Sequence, residues 1–217
     1  MKIAIQYWYN IGKKKKKKFV SMKGGYHGDT FGAMSVGFSS GFYKPYEDVL
    51  EKQFFTSYPE IWNGKNDIES IEKKALHDAD DILNKYGGEI AALIIEPIIQ
   101  GAAGMRICRK EFLDKFLQKF RDAGIIIIFD EVMTGFRVAR GGVQELTGIE
   151  ADLTALGKIV GGGLPVGVYG GKASIMNNIS PDGPVYQAGT LSGNPIAVSA
   201  GTALLKQLKD KTLYEKL

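Results

Sequence analysis

Apolar residues along this chain fall into two patterns. Some form short β-branched or aromatic runs; others recur every three or four residues over longer stretches. Phe19-Val20-Ser21-Met22 predicts a strand, ended by the Gly24-Gly25 turn. From Asp67 to Tyr86, Ile68, Ile71, Ala75, Ala79 and Ile82 repeat at helical spacing, and Gly87-Gly88 marks the stop. Ala91-Ala92-Leu93-Ile94-Ile95 is a continuous apolar run, as expected of a strand buried on both faces. Glu111 to Ala123 sets Phe112, Phe116 and Phe120 four apart with Leu113 and Leu117 beside them, a second amphipathic helix closed by Gly124. Ile125 to Phe129 predicts another buried strand, Leu153 to Leu156 and Val166 to Tyr169 two more, and Pro195 to Leu208 a closing helix. Strands alternating with helices point to an α/β fold: three layers, a mainly parallel sheet with helices on both faces. In such sheets ligands bind at the carboxyl ends of strands, so the chemistry is sought there.

The 217 residues, 44% of them hydrophobic, suit one domain with a substantial core. No apolar run approaches the length needed to span a bilayer, and Met1 to Asn10 lacks the apolar core and cleavage site of an export signal. One cysteine, Cys108, excludes an internal disulfide framework, and two histidines argue against a histidine-rich metal site. A reducing, cytoplasmic setting is expected. The formal charge of +4 has a local source, the run Lys13 to Lys18; without it the 24 acidic residues outnumber the remaining basic ones. Such a block is expected to be a solvated loop, and neither a nucleic-acid signature nor a membrane anchor accompanies it.

Four candidates stand at predicted strand ends. Asp130-Glu131 follows Ile126-Ile127-Ile128-Phe129, where a carboxylate needs a cation or hydrogen-bond donors. Lys158 follows Leu153 to Gly157 and precedes Gly161-Gly162-Gly163; partial desolvation there would lower its pKa and free a neutral amine for Schiff-base chemistry. Glu96-Pro97 ends a third strand, with Gln100 four residues on, and Gly25-Tyr26-His27-Gly28 follows the first. Singly, each has an ordinary reading: a cap, a surface lysine, a core aromatic, a satisfied polar histidine. Jointly, an acid and a lysine at successive strand ends, with an aromatic at an earlier one, form the layout that a pyridoxal phosphate enzyme needs.

Longer strings carry a family resemblance over nearly the whole chain. From about Ile3 to Phe136, Tyr26-His27-Gly28-Asp29-Thr30, Met34-Ser35-Val36-Gly37 and Ile95-Glu96-Pro97-Ile98-Ile99-Gln100-Gly101 resemble the adenosylmethionine-8-amino-7-oxononanoate (diaminopelargonate) aminotransferases. From about Asp130 onward, Phe129 to Arg137, Gly157 to Gly167 and Gly183 to Pro195 resemble glutamate-1-semialdehyde 2,1-aminomutase. Both belong to the class III (ornithine/GABA-type) aminotransferases of fold-type I pyridoxal phosphate enzymes. The two resemblances meet near Thr134-Gly135-Phe136, so the chain reads as a splice of two homologues, natural or recombined.

The resemblance implies pyridoxal 5'-phosphate as cofactor and catalytic roles for Lys158 and Asp130. Lys158 would carry the internal aldimine and then shuttle a proton, while Asp130 would hold the pyridinium N–H. Tyr26 would stack on one ring face with His27 beside it, Val132 would pack on the other face, and Gln100 would bond the phenolic oxygen. Gly189 and Thr190 would reach the cofactor phosphate of a neighbouring subunit, which makes a homodimer the expected state. Glu131 would orient its loop rather than react. Family members are about twice as long, so residues 1–217 are expected to be a partial cofactor-binding large domain. A phosphate-cupping turn upstream and a small domain downstream would lie outside it. The expected activity is amino-group transfer or an intramolecular amino shift on a small amino or keto compound; the alternative is a fragment that only binds cofactor or serves as a scaffold.

Overall fold

The structure, a computed structural model, describes residues 1–38, 41–60, 67–210 and 212–216. It divides into two compact units, Met1–Ile128 and Phe129–Leu217.

The first unit runs α1 (Lys2–Asn10), β1 (Lys18–Met22), α2 (Phe31–Val36), β2 (Phe54–Thr56), α3 (Ile68–Tyr86), β3 (Ile90–Ile95), the short strands β4 (Ile99–Gln100) and β5 (Arg106–Ile107), α4 (Lys110–Asp122) and β6 (Ile126–Asp130), whose last two residues enter the second unit. Its strand order is β2-β1-β3-β6, and β1 pairs in parallel with both β2 and β3. β3 is buried at every position, as its unbroken apolar run requires. β4 and β5 form a separate antiparallel pair, with Gln100 opposite Arg106.

Helix α3 begins at Asp67, whose side chain accepts the Ser70 N–H at 3.2 Å. It buries small residues, Ala75 and Ala79, where α4 buries Phe112, Leu113, Phe116, Leu117 and Phe120. The rings of Phe116 and Phe120 lie 5.1 Å apart, within the range of favourable aromatic pairs. Arg109 grips the Glu72 carboxylate with two nitrogens at 2.7 and 2.6 Å, and Lys119 reaches Asp80 at 2.7 Å, so charged pairs rim the apolar seam.

The lysine run is exposed at Lys13, Lys14, Lys15 and Lys17, as expected of a solvated loop, while Lys16 and Lys18 are drawn into the fold. Lys18 opens β1, and the backbone N–H groups of Lys17 and Lys18 both donate to Glu89 O. Lys16 is half-buried: its ammonium donates to Gly87 O at 3.2 Å and Ile90 O at 3.0 Å. Burial, then the charge of Lys13, pushes its pKa down. Lys13 and Lys16 both lie over the Trp8 ring, whose indole N–H donates to Ala91 O at 2.7 Å. Carbonyls at the end of α3 and an aromatic face give these cations partners within the fold.

The second unit continues with α5 (Gly142–Thr147), β7 (Leu153–Leu156), β8 (Val168–Gly171), α6 (Ala173–Met176), α7 (Pro195–Gln207) and α8 (Thr212–Glu215). β7 lies beside β6, and β8 pairs antiparallel with β7, Leu156 opposite Val168. β8 starts at Val168, two residues later than expected. α7 has Asn194 as cap, accepting the Ala197 N–H at 3.0 Å, and Pro195 in its first turn. The sheet is mostly parallel with helices around it, and among the described residues no helix is long and apolar enough to cross a membrane.

Phe116→Ala should lower stability by about 3–5 kcal/mol, since a fully buried ring leaves a cavity that its neighbours fill only partly. Lys119→Met, which removes a half-exposed ion pair, should cost under about 1 kcal/mol. Urea titration of both variants checks the ranking. A second test concerns Tyr43, whose hydroxyl donates to Gly28 O at 3.3 Å and whose ring closes over Gly37. Burial, then Asp29 and Tyr26, pushes its pKa up to about 12 from 10.0. A raised value means that the fold favours the protonated phenol. That contribution is complete below pH 10 and is lost as pH rises toward about 12. Tyr43→Phe should therefore flatten the alkaline fall in the urea midpoint, and an unchanged fall would assign it to other groups.

Candidate active site

In the first unit the expected residues gather where β1 and β3 end. The chain turns after β1 with Gly25 N–H donating to Met22 O at 3.0 Å. Gly24 has φ +89°, a conformation that side chains rarely adopt, and a Cβ there would press on Gln100 Oε1 at 2.7 Å and Arg106 Nη1 at 2.8 Å. Glu96 then joins two loops: Oε2 accepts the Tyr26 N–H at 3.0 Å and Oε1 the Gly101 N–H at 3.1 Å. One carboxylate thus fixes the backbone beside both Tyr26 and Gln100.

Tyr26 is half-buried, and its hydroxyl donates to Asp29 Oδ2 at 2.9 Å. That hydrogen bond, followed by burial and the Asp29 charge, raises its pKa. The His27 ring nitrogen Nε2 stands 3.3 Å from Oγ of Ser21, a fully buried strand residue. Gln100 is buried; Nε2 donates to Lys23 O at 3.2 Å, while Oε1 has no partner. A buried acceptor left open costs about 1–3 kcal/mol, which a ligand donor would recover.

In the second unit Asp130 is the last residue of β6, not the first beyond it, and is buried. Its Oδ1 accepts the Val132 N–H at 3.1 Å. Glu131 N–H donates to Ala155 O at 2.9 Å, so the chain beyond β6 stays tied to β7. The Glu131 carboxylate is fully buried, accepting from Thr134 Oγ1 at 3.0 Å, Val143 N at 2.6 Å and Gln144 Nε2 at 3.1 Å. These contacts tie Thr134, Val143 and Gln144 to the end of β6.

Val132 lies against Gly157: a Cβ on Gly157 would stand 3.1 Å from Val132 Cγ1. Lys158 comes next and opens a single 3-10 turn at φ +48°, a left-handed conformation that a side chain normally avoids. The expected desolvation of this lysine is not found. Lys158 is exposed. The turn is held from the other side by α7: Cβ atoms at Gly162 and Gly201 would stand 2.5 Å from Ala200 O and Val160 O. Gly189 and Thr190 lie on an exposed turn, closed by Ser192 N–H to Gly189 O at 3.0 Å.

The sequence reading missed Asp29, Tyr43 and Gln144. Asp29 had a signal, three residues after Tyr26; a lone glutamine such as Gln144 had none.

The family model described as "Aminotransferase class-III" matches residues 1–217. The glutamate-1-semialdehyde 2,1-aminomutase of Chloroherpeton thalassium (strain ATCC 35110 / GB-78) is 47% identical over 214 residues, covering 95% of this chain and 46% of that enzyme. Among solved structures, the adenosylmethionine-8-amino-7-oxononanoate aminotransferase of Methanocaldococcus jannaschii DSM 2661 matches with TM-score 0.84 at 29% identity, over 99% of this chain and 49% of the other. An amine transaminase from an uncultivated Pseudomonas species, in its PLP-bound (internal aldimine) form, matches with TM-score 0.87 at 27% identity, over 98% and 50%. The chain spans about half the length of these relatives. Both resemblances read from the motifs recur here, the aminomutase in sequence and the diaminopelargonate enzyme in structure, and a single family model embraces the two: the chain belongs to the class III aminotransferases.

Proposed function

We propose that this chain carries the cofactor-binding part of an enzyme that uses pyridoxal 5'-phosphate. Its reaction would be amino-group transfer or an intramolecular amino shift on a small amino or keto compound, nearest the glutamate-1-semialdehyde aminomutase reaction. The observation that carries this reading is Lys158. A lysine in a left-handed backbone conformation just beyond a strand, preceded by Gly157, is costly unless its amine must stand at that point. The donor set fits the cofactor: a primary amine at Lys158, a carboxylate at Asp130 and an open buried acceptor at Gln100 Oε1.

When bound, pyridoxal phosphate supplies an electron sink for carbanion chemistry next to nitrogen. The chain's own residues do the rest. Lys158 would hold the cofactor through its amine and would move a proton at the substrate α-carbon. Asp130 holds the ring nitrogen's proton by charge, steadied by the Val132 N–H. Val132 supports the ring from its seat against Gly157. In the first unit, Tyr26 would offer its ring as a stacking face, His27 Nε2 stands 3.3 Å from Ser21 Oγ, and Gln100 would bond the phenolic oxygen.

The working form we propose is a homodimer in which Gly189 and Thr190 bond the partner's cofactor phosphate. Exposed apolar residues around α7 support it: Leu191 and Ile196 are each 75% exposed and Val198 48%. The setting we propose is cytoplasmic, with neither nucleic acid nor membrane as partner; Cys108 fits, a free buried thiol pushed up to about 11 by burial.

Borohydride reduction of the chain with pyridoxal phosphate should fix one adduct at Lys158, located by peptide mass spectrometry. Adducts spread over Lys13 to Lys18 would remove the reading. Asp130→Asn should leave the fold intact and lower the rate of amino transfer to the bound cofactor about 10²–10⁴-fold, as loss of a charge-assisted bond in a dry site implies. Light scattering during size exclusion should find a dimer that pyridoxal phosphate tightens. A monomer that still labels at Lys158 would contradict the shared site.

A further inference from the structure

The hydrogen-bond network around Gln144 has no part in the chemistry above, yet it joins the two strand ends that carry that chemistry. Gln144 stands on the short helix α5. Its Nε2 donates to Glu131 Oε1 at 3.1 Å and to Thr154 Oγ1 at 3.0 Å, and its Oε1 accepts the Ala151 N–H at 2.9 Å. Both amide hydrogens and the carbonyl are therefore engaged. An amide held at three points cannot turn without breaking a bond.

The partners matter by position. Glu131 directly follows Asp130. Thr154 lies on β7, four residues before Lys158, and is next to Ala155, whose carbonyl accepts the Glu131 N–H. The side-chain bridge thus doubles a backbone bond between the same two segments. Glu131 is itself immobile, because its other oxygen accepts Thr134 Oγ1 and Val143 N. Gly142, at φ +66°, passes so close that a Cβ would fall on that carboxylate. No ion pair of Glu131 occurs among the described residues, so neutral dipoles alone stabilise its buried charge. Such a network is sensitive to the loss of any member.

We propose that Gln144 is a positioning residue. Through Glu131 and Thr154 it fixes where the Asp130 carboxylate stands relative to the Lys158 amine. This rests on the reading that these two groups hold pyridoxal phosphate. A ring anchored at its nitrogen by one strand end and at its aldehyde by the next tolerates little relative shift of the two. Binding and proton affinity should therefore both report on the bridge.

The test combines Gln144→Met, Thr154→Val and the double variant in the full chain. Far-ultraviolet circular dichroism checks folding; the readouts are affinity for pyridoxal phosphate and the pH midpoint of its visible band. Each single variant should weaken affinity about 3- to 10-fold, the range expected for one net hydrogen bond, and move the midpoint. The double variant should be no worse than the more affected single one, since both break one bridge. Thr154→Val leaves every other bond to Glu131 in place, so it decides alone if Gln144→Met fails to fold. Folded variants with the parent's affinity and midpoint, or effects that simply multiply, overturn the proposal while the cofactor reading stands. No Lys158-specific adduct in the parent chain overturns both.

Discussion

A carboxylate buried at the end of an apolar strand has to find donors nearby, and this fold is organised around that requirement. Glu131 has no counter-ion among the described residues. It is satisfied by a hydroxyl, a backbone N–H and an amide, all drawn from the segment after β6. The demand of one charge for dipoles thereby folds Thr134 to Gln144 back onto the strand ends. Glu96 does the same in the first unit, accepting N–H groups from two loops with its two oxygens. Left unpaired, either charge would cost far more than a neutral hydrogen bond contributes.

This division of labour explains why adjacent acids at one strand end differ in use. Asp130 and Glu131 are consecutive, so their side chains diverge. The longer side chain is consumed by the interior, and the shorter one accepts the Val132 N–H. An Asp–Glu pair serves better here than two equal acids: the Glu carboxylate reaches Val143 and Gln144, and the Asp carboxylate stays at the end of β6. Likewise Glu96 leaves Gln100 with an acceptor that nothing in the described chain occupies.

Much of the fold was legible because burial writes itself as periodicity. β3 and α4 appear within a residue of their expected bounds, since a strand covered on both faces and a helix with phenylalanines four apart admit few other readings. β2, β4 and β5 have three residues or fewer and leave no pattern to find. The lysine run was legible as a solvated loop except at Lys16 and Lys18, because a charge count cannot foresee that the carbonyls of Gly87 and Ile90 will accept the Lys16 ammonium. At the candidate site, Lys158, Asp130 and the Tyr26 loop were legible as chemistry at strand ends. Gln144 was not, because its role exists only once α5 is folded against β7.

The glycines near Lys158 carry the last step. Gly162 and Gly201 let the turn and α7 approach until backbone nearly meets backbone, so the lysine turn is clamped from the α7 side. Gly157 meanwhile leaves the room that Val132 fills. What the missing side chains give up in cover for Lys158, they return as a close fit on either side of it. An exposed amine on a clamped turn is positioned by its backbone rather than by a pocket around its side chain. In that arrangement the left-handed conformation of Lys158 sits in a 3-10 turn packed against α7, and the strain at one residue is tolerated because the neighbouring glycines let the backbones meet.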